Sequence, residues 1–266
     1  MIRLIATDLD DTLLNEKSAL NAAMAAGCGI SLSSGRMMEA MLPLANEIGV
    51  NAPMLLYNGA MAYDHRTDET IFSFHIPYET ALGIARMVER LGYYIQAYPG
   101  KNYYCRRIEP CTRAYAKSIG VQPVELGIPV SEWMEAHPSD MQKLLLIDTP
   151  TGADRAQAML REAFPDGANF LKSRPHYLEI APVGVDKGRS LKRLYEHFGL
   201  GRDEVMAFGD GQNDVPMIEA AGTGVCMQNG CPEALAVADM VAPKNTEDGV
   251  AQVIESYLEK GWIGGM

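Results

Sequence analysis

Leu4-Ile5-Ala6-Thr7-Asp8-Leu9-Asp10-Asp11-Thr12 opens the chain with a short apolar run that breaks into three acids within four positions. Leu4–Thr7 is apolar on both sides, the pattern of a strand buried in a parallel sheet. In such a sheet the carboxyl ends of the strands open onto the ligand crevice. Two unit charges about 4 Å apart repel by about 4 kcal/mol at an effective dielectric near 20, so acids crowded there imply a cation that gathers them. Asp8 and Asp10, two residues apart, would share a strand face, one serving as nucleophile and the other handling protons. An inert, solvated acidic loop would read the same way, so the remainder of the chain has to decide.

Outward from this run the pattern alternates. Gly29–Ser33 and Met54–Tyr57 read as further buried parallel strands. Ser18–Ala26 and Met37–Ile48 are helical stretches ending near Gly27 and Gly49. The same grammar returns late: helix Lys187–Phe198, strand Val205–Phe208, helix Val215–Ala221, strands Gly224–Met227 and Met240–Ala242, closing helix Gly249–Lys260. The middle differs. Helix Tyr78–Leu91 is followed by tyrosine-rich strands Tyr93–Tyr98 and Tyr103–Arg106 around a Pro99-Gly100 turn. Strand Met141–Ile147, helix Ala153–Phe164 and strands Ala168–Lys172 and Tyr177–Ala181 come next. The expectation is an α/β fold, a Rossmann-like parallel-sheet core at 1–78 and 184–266 with an inserted α+β cap domain at 79–183.

A second acidic group, Gly209-Asp210-Gly211-Gln212-Asn213-Asp214, also follows a strand, with glycines that let the backbone turn tightly. Asp210 and Asp214 are hard oxygen ligands, and magnesium takes one or two carboxylates with water and substrate phosphate. Ser34-Gly35-Arg36 lies between strand and helix, where a hydroxyl and free backbone N–H groups suit an anion. Lys187 opens a helix and, buried beside carboxylates, would balance charge and bind phosphate oxygens. A helix cap at Ser34 and a solvated cation at Lys187 are the plainer alternatives.

The bulk numbers narrow the classes. With 266 residues, 47% hydrophobic, the chain has material for two small domains. A formal charge of −11 disfavours nucleic acid and anionic lipid as partners. No apolar stretch is long enough for a membrane span, and the N-terminus lacks the basic start and long apolar region of a signal peptide. Five cysteines without a Cys-x-x-Cys pair suit reduced thiols in a cytoplasm, with Cys28 and Cys226 in the core. The five histidines show no zinc-ligand spacing.

Taken together, Asp8-Leu-Asp-Asp-Thr-Leu-Leu14, Leu32-Ser-Ser-Gly-Arg36, Tyr57-Asn-Gly-Ala60, Gly184-Val-Asp-Lys-Gly188 and Gly209-Asp-Gly-Gln-Asn-Asp-Val-Pro-Met217 resemble the haloacid dehalogenase (HAD) superfamily, in particular its Cof-type phosphatases with a large C2-type cap. Ala234–Ala242 and Asp248-Gly249-Val250 look familiar in the same sense. The resemblance implies a phosphatase acting on a small metabolite such as a sugar phosphate, a nucleotide or a cofactor phosphate. Asp8 would form an aspartyl phosphate and Asp10 would act as acid and base. Ser34, Gly35, Lys187 and Asn213 would hold phosphate, and Asn58 would touch phosphate or substrate. Mg2+ would be bound by Asp8, the Asp10 main-chain carbonyl, Asp210 and Asp214. Arg36 would contact substrate or brace its loop.

The inserted module would serve as a lid, with Arg174, His176 and Tyr177 as cap residues that could face the ligand. Tyr93, Tyr94, Tyr98, Tyr103 and Tyr104 would form sheet faces or an interface. Two departures stand out: Asp11 occupies a position where many relatives have glycine, and the segment between Leu14 and Gly27 is short by about two helical turns. The alternatives are a phosphotransferase or sugar phosphomutase sharing the aspartyl-phosphate chemistry, and a non-catalytic metabolite-binding or receiver-like relative.

Overall fold

The computed structural model describes residues 1–13 and 17–265. In chain order the elements are β1 (Leu4–Thr7), α1 (Lys17–Ala25), β2 (Gly29–Leu32), α2 (Met38–Ile48), β3 (Met54–Leu56), β4 (Met61–Asp64), β5 (Glu69–Ser73), α3 (Tyr78–Arg90), β6 (Tyr94–Tyr98), β7 (Tyr104–Cys105), α4 (Pro110–Ile119), β8 (Val124–Glu125), α5 (Val130–Ala136), β9 (Lys143–Ile147), α6 (Pro150–Ala163), β10 (Asn169–Arg174), β11 (Tyr177–Ala181), α7 (Lys187–His197), β12 (Val205–Gly209), α8 (Val215–Ala220), β13 (Thr223–Met227), α9 (Pro232–Val237), β14 (Met240–Ala242) and α10 (Gly249–Glu259). They fall into two compact units. One is formed by Met1–Gly35, Met41–Phe72 and Asp186–Met266, the other by Arg36–Ala40 and Ser73–Val185.

The first unit is built on a five-stranded sheet in the order β14-β13-β12-β1-β2, parallel throughout. Every residue of β1 is buried, as a strand covered on both faces must be. Leu4 and Ala6 join Val205 and Ala207 of β12 in an apolar cluster with Leu191 and Leu194 of α7 and Met217 of α8. Helices α1 and α10 pack together, as do α7 and α8. The chain leaves β1 toward β2 on one side, and the late strands extend from β12 on the other. The switch point therefore falls between β1 and β12, whose register pairs Thr7 with Phe208.

One strand departs in part from the expectation. The run Met54–Tyr57 is buried and meets the parallel sheet through a short edge contact with β2. Met54–Leu56 pairs antiparallel with β4 in a sheet ordered β3-β4-β5, and on the β2 side there is a parallel bridge between Ser33 and Leu55, with the Ala52 N–H donating to the Ile30 carbonyl at 3.1 Å. The signal was Asn58-Gly59, the dipeptide that turns a hairpin. A short apolar run looks alike in either sheet. Strand β1 also stops at Thr7, so Asp8 and Asp10 do not share a strand face; Asp10 lies in the turn that follows.

The second unit carries a six-stranded sheet ordered β10-β11-β9-β6-β7-β8. One face supplies Ile95, Leu144, Leu146 and Ile180 to a core shared with Ile84 of α3 and Leu160 of α6. The other face buries Lys143, whose Nζ donates to Glu179 Oε2 at 2.9 Å and lies 4.7 Å from the Tyr98 ring centroid. Tyr98 stacks on Tyr103 with centroids 5.1 Å apart, so Tyr98 belongs to this face, whereas Tyr93 packs on the apolar core and Tyr104 stacks on Trp133. Helices α4 and α5 were not anticipated, yet α4 had its signals. Glu109 and Thr112 make a capping box, Pro110 opens the helix and Gly120 closes it in the left-handed region. α1 is nine residues long, and Leu14, Asn15 and Glu16 of the shortened segment lie outside the described residues.

Candidate active site

Within the first unit the ends of β1 and β12 bring the two acidic runs together. The Asp8 N–H donates to the Phe208 carbonyl at 2.9 Å, one step beyond the strand ladder. One carboxylate oxygen from each of Asp8, Asp210 and Asp214 lies within 4.8 Å of the other two. Asp8 and Asp214 are buried and Asp210 is half-buried. The Asp10 side chain is outside this trio.

Lys187 neutralises part of the charge. The buried stripe of α7 runs Lys187, Gly188, Ser190, Leu191, Leu194 and Tyr195, so helical periodicity carries the lysine inward. Asp186 fixes where the helix begins, its side chain accepting the Arg189 N–H at 2.7 Å. The ammonium, with its side chain fully buried, donates at 2.5 Å to Asp8 Oδ1 and at 2.5 Å to Asp214 Oδ1. Burial alone would lower the Lys187 pKa, but Asp214 and Asp8 outweigh it and hold the group above its ordinary value. Burial and then Asp214 push the Asp8 carboxyl well up, with Lys187 opposing. For Asp210, burial again dominates and raises it to about 6 against the hydrogen bond from Thr12. Three carboxylates facing one ammonium leave uncompensated negative charge in a desolvated place, which is the demand a divalent cation meets.

Asp214 has more than one task. Its Oδ2 accepts the N–H groups of Asp210 at 3.1 Å and Gly211 at 2.9 Å, so it closes its own loop while orienting Lys187. Of the roughly four lone-pair sites on a carboxylate, those three donors leave one for an ion. Thr12 was not singled out in the sequence. Its hydroxyl donates to Asp210 Oδ1 at 2.6 Å, tying the two acidic runs directly; its place one turn beyond Asp8 was the available signal.

Ser34 and Asn58 are buried, and the Asn58 N–H donates to the Ser34 carbonyl at 3.0 Å. Asn213 Nδ2 donates to Asn58 Oδ1 at 3.1 Å. A side chain on Gly35 would begin 3.0 Å from the Asn58 amide, so the loop after β2 packs directly on Asn58. α2 begins at Met38, four residues past Ser34, which is therefore not its immediate cap. Asp11 has a φ of 63°, in the left-handed region that suits glycine and is tolerated by Asp or Asn. The Asp11 carbonyl accepts from Asn229 Nδ2 at 2.9 Å.

Arg174, His176 and Tyr177 belong to the second unit, where they line a cavity of about 610 Å3 with Tyr94, Glu109 and Asp148. The five cysteines are free, Cys28 and Cys226 both buried, and burial raises each of those two thiols to about 12. No helix among the described residues is long and apolar enough to cross a membrane.

A family model described as haloacid dehalogenase-like hydrolase matches residues 5–254. TM0651 from Thermotoga maritima is 32% identical in its solved structure, covering 96% of this chain and 97% of that one at a TM-score of 0.84. A haloacid dehalogenase-like hydrolase from Bacteroides thetaiotaomicron is 28% identical, with coverages of 96% and 99% and a TM-score of 0.87. The pyridoxal phosphate phosphatase YbhA of Escherichia coli strain K12 is 28% identical over 284 residues, 96% of this chain and 98% of its own length.

Proposed function

Because this chain belongs to the haloacid dehalogenase-like hydrolase family, we propose that it is a magnesium-dependent phosphatase working through a phospho-aspartate on Asp8. Its class of activity is phosphatase action on small phosphorylated metabolites; pyridoxal phosphate, a substrate named for a relative, belongs in the first set to be assayed. The observation that carries the proposal is the convergence of Asp8, Asp210 and Asp214 with Lys187 bridging two of them.

One oxygen of Asp8 is held by Lys187, which fixes the carboxylate plane; the other attacks phosphorus. As the P–O ester bond breaks, Asp10 gives its proton to the departing alkoxide. It then takes a proton from the water that cleaves the acyl phosphate, returning Asp8 as carboxylate and releasing inorganic phosphate. Lys187, the Ser34 hydroxyl and the N–H of Gly35 hold the transferring oxygens, and Asn213 and Asn58 support that shell. The acids that would hold the cation are Asp8, Asp210 and Asp214, with the Asp10 carbonyl as a further ligand. Bound there, magnesium supplies charge neutralisation for the phosphoryl group. Ser73–Val185 is the cap of this reading.

The test is release of inorganic phosphate from a metabolite panel with magnesium, run beside Asp8→Asn. The variant should lose at least about a hundredfold in kcat, because the covalent route is removed. Chelator should abolish turnover and magnesium restore it. Equal activity in the two proteins would refute the assignment.

A further inference from the structure

After β3 the backbone makes a turn of rare conformation. Tyr57, Asn58 and Gly59 have φ of 54°, 57° and 93°, three left-handed residues in succession. Glycine and asparagine tolerate this region, but Tyr57 carries a side chain that disfavours it. Such backbone persists only where its surroundings over-determine it, and it clusters at functional sites.

The surroundings are specific. The Ser190 hydroxyl, on α7, donates to the Gly59 carbonyl at 2.7 Å, a buried bond. A Cβ on Gly59 would lie 2.7 Å from the Asp186 carbonyl oxygen and 2.7 Å from Ser190 Oγ, so the turn sits directly on the start of that helix. Asn58 receives Asn213 from the loop after β12 and gives its N–H to Ser34 from the loop after β2. One turn thus touches the three segments that carry Ser34, Lys187 and Asn213.

We propose that Ser190 is a positioning residue for Lys187 and Asn213, acting through the left-handed turn at Tyr57–Gly59. Ser190 lies three residues after Lys187, on the same side of α7. Its bond to Gly59 fixes the rotation of the helix one turn below the ammonium. The same bond holds the turn whose Asn58 amide receives Asn213. Without the hydroxyl the Gly59 carbonyl loses a buried donor, and the turn, strained at Tyr57, loses its anchor on α7. Lys187 and Asn213 then drift relative to one another, which the phosphoryl group in flight senses more than the bound substrate does. This inference rests on the phosphatase reading above.

The experiment compares wild type, Ser190→Ala, Ser190→Cys and Ser31→Ala on p-nitrophenyl phosphate with magnesium, with orthovanadate as a transition-state-like inhibitor. Ser31 is a control because its hydroxyl makes the same kind of buried bond, to the Pro53 carbonyl at 2.6 Å. Cysteine fills the space of serine but donates weakly, so it reports on the bond even if the alanine variant does not fold. Ser190→Ala and Ser190→Cys should lose roughly tenfold to a hundredfold in kcat, with KM little changed and vanadate weakened in parallel. Ser31→Ala should lose thermal stability without that kinetic signature. The inference is overturned if the Ser190 variants keep kcat within twofold of wild type, if vanadate inhibition does not move, or if Ser31→Ala shows the same kinetic loss. Absence of turnover in wild type, or full turnover in Asp8→Asn, would instead overturn the phosphatase reading and this inference with it.

Discussion

Asp210 is where desolvation sets the chemistry. Burial lifts its carboxyl to about 6, with the Thr12 hydrogen bond working against it and Asp214 and Asp11 adding to it. The folded chain therefore holds this proton more tightly than the unfolded chain, whose Asp titrates near 3.9. The stability that follows is fully present below about pH 4 and is lost as pH rises through about 6. A divalent cation reverses the preference, since it binds the carboxylate and displaces the proton. Magnesium should raise the melting temperature more at pH 7.5 than at pH 5. Its affinity should fall below pH 6 by up to about tenfold per unit for each proton displaced. Calorimetric titration across that range checks both the sign and the window, and an affinity unchanged from pH 7.5 to pH 5 would remove Asp210 from the metal shell.

At the level of elements, the decisive contact is between α7 and α8. A Cβ on Gly188 would fall inside the Pro216 carbonyl, far within van der Waals contact. Glycine there lets the first turn of α7 press against the start of α8, and this brings Lys187 to both Asp8 and Asp214. Gly188→Ala is expected to cost about 1–3 kcal/mol as an overpacked contact. It should also lower kcat/KM by at least about thirtyfold, because an ångström of displacement at Lys187 is enough to spoil the alignment. Thermal unfolding and steady-state kinetics on the same preparation would show it; a variant as stable and active as wild type would mean that the helices have room to part. The sequence showed α7 and its opening lysine clearly. It did not show why position 188 is glycine, because that reason lies on another helix. β3 is the converse case: it meets β2 in parallel, and Asn58-Gly59 carried a legible signal for the hairpin with β4 that the apolar run obscured.

For the whole molecule, the division into two units predicts how the chain unfolds. Ser73–Val185 is one continuous segment with its own apolar core, including Ile84, Leu144, Leu160 and Ile180. The other unit is assembled from segments separated in sequence by that insertion. A fragment spanning 73–185 should fold alone and melt cooperatively, with a near-ultraviolet dichroism signal from the packed Tyr98 and Tyr103 rings. A fragment lacking that signal and any cooperative transition would show that the insertion depends on the rest of the chain for its structure.

The amino-acid order alone determined that acids follow two strands, that a serine-glycine loop and a helix-opening lysine accompany them, and that a differently patterned module interrupts the core. These are local features, set by periodicity and by which residues tolerate a turn. Only the tertiary structure decided which groups meet. β1 lies beside β12, so Thr12 reaches Asp210 across 198 positions, Asp214 divides its oxygens between a lysine and its own loop, and Ser190 reaches Gly59 across 131. Side-chain partners at such separations follow from how sheets and helices pack, and packing is a property of the folded chain that no window of its sequence contains.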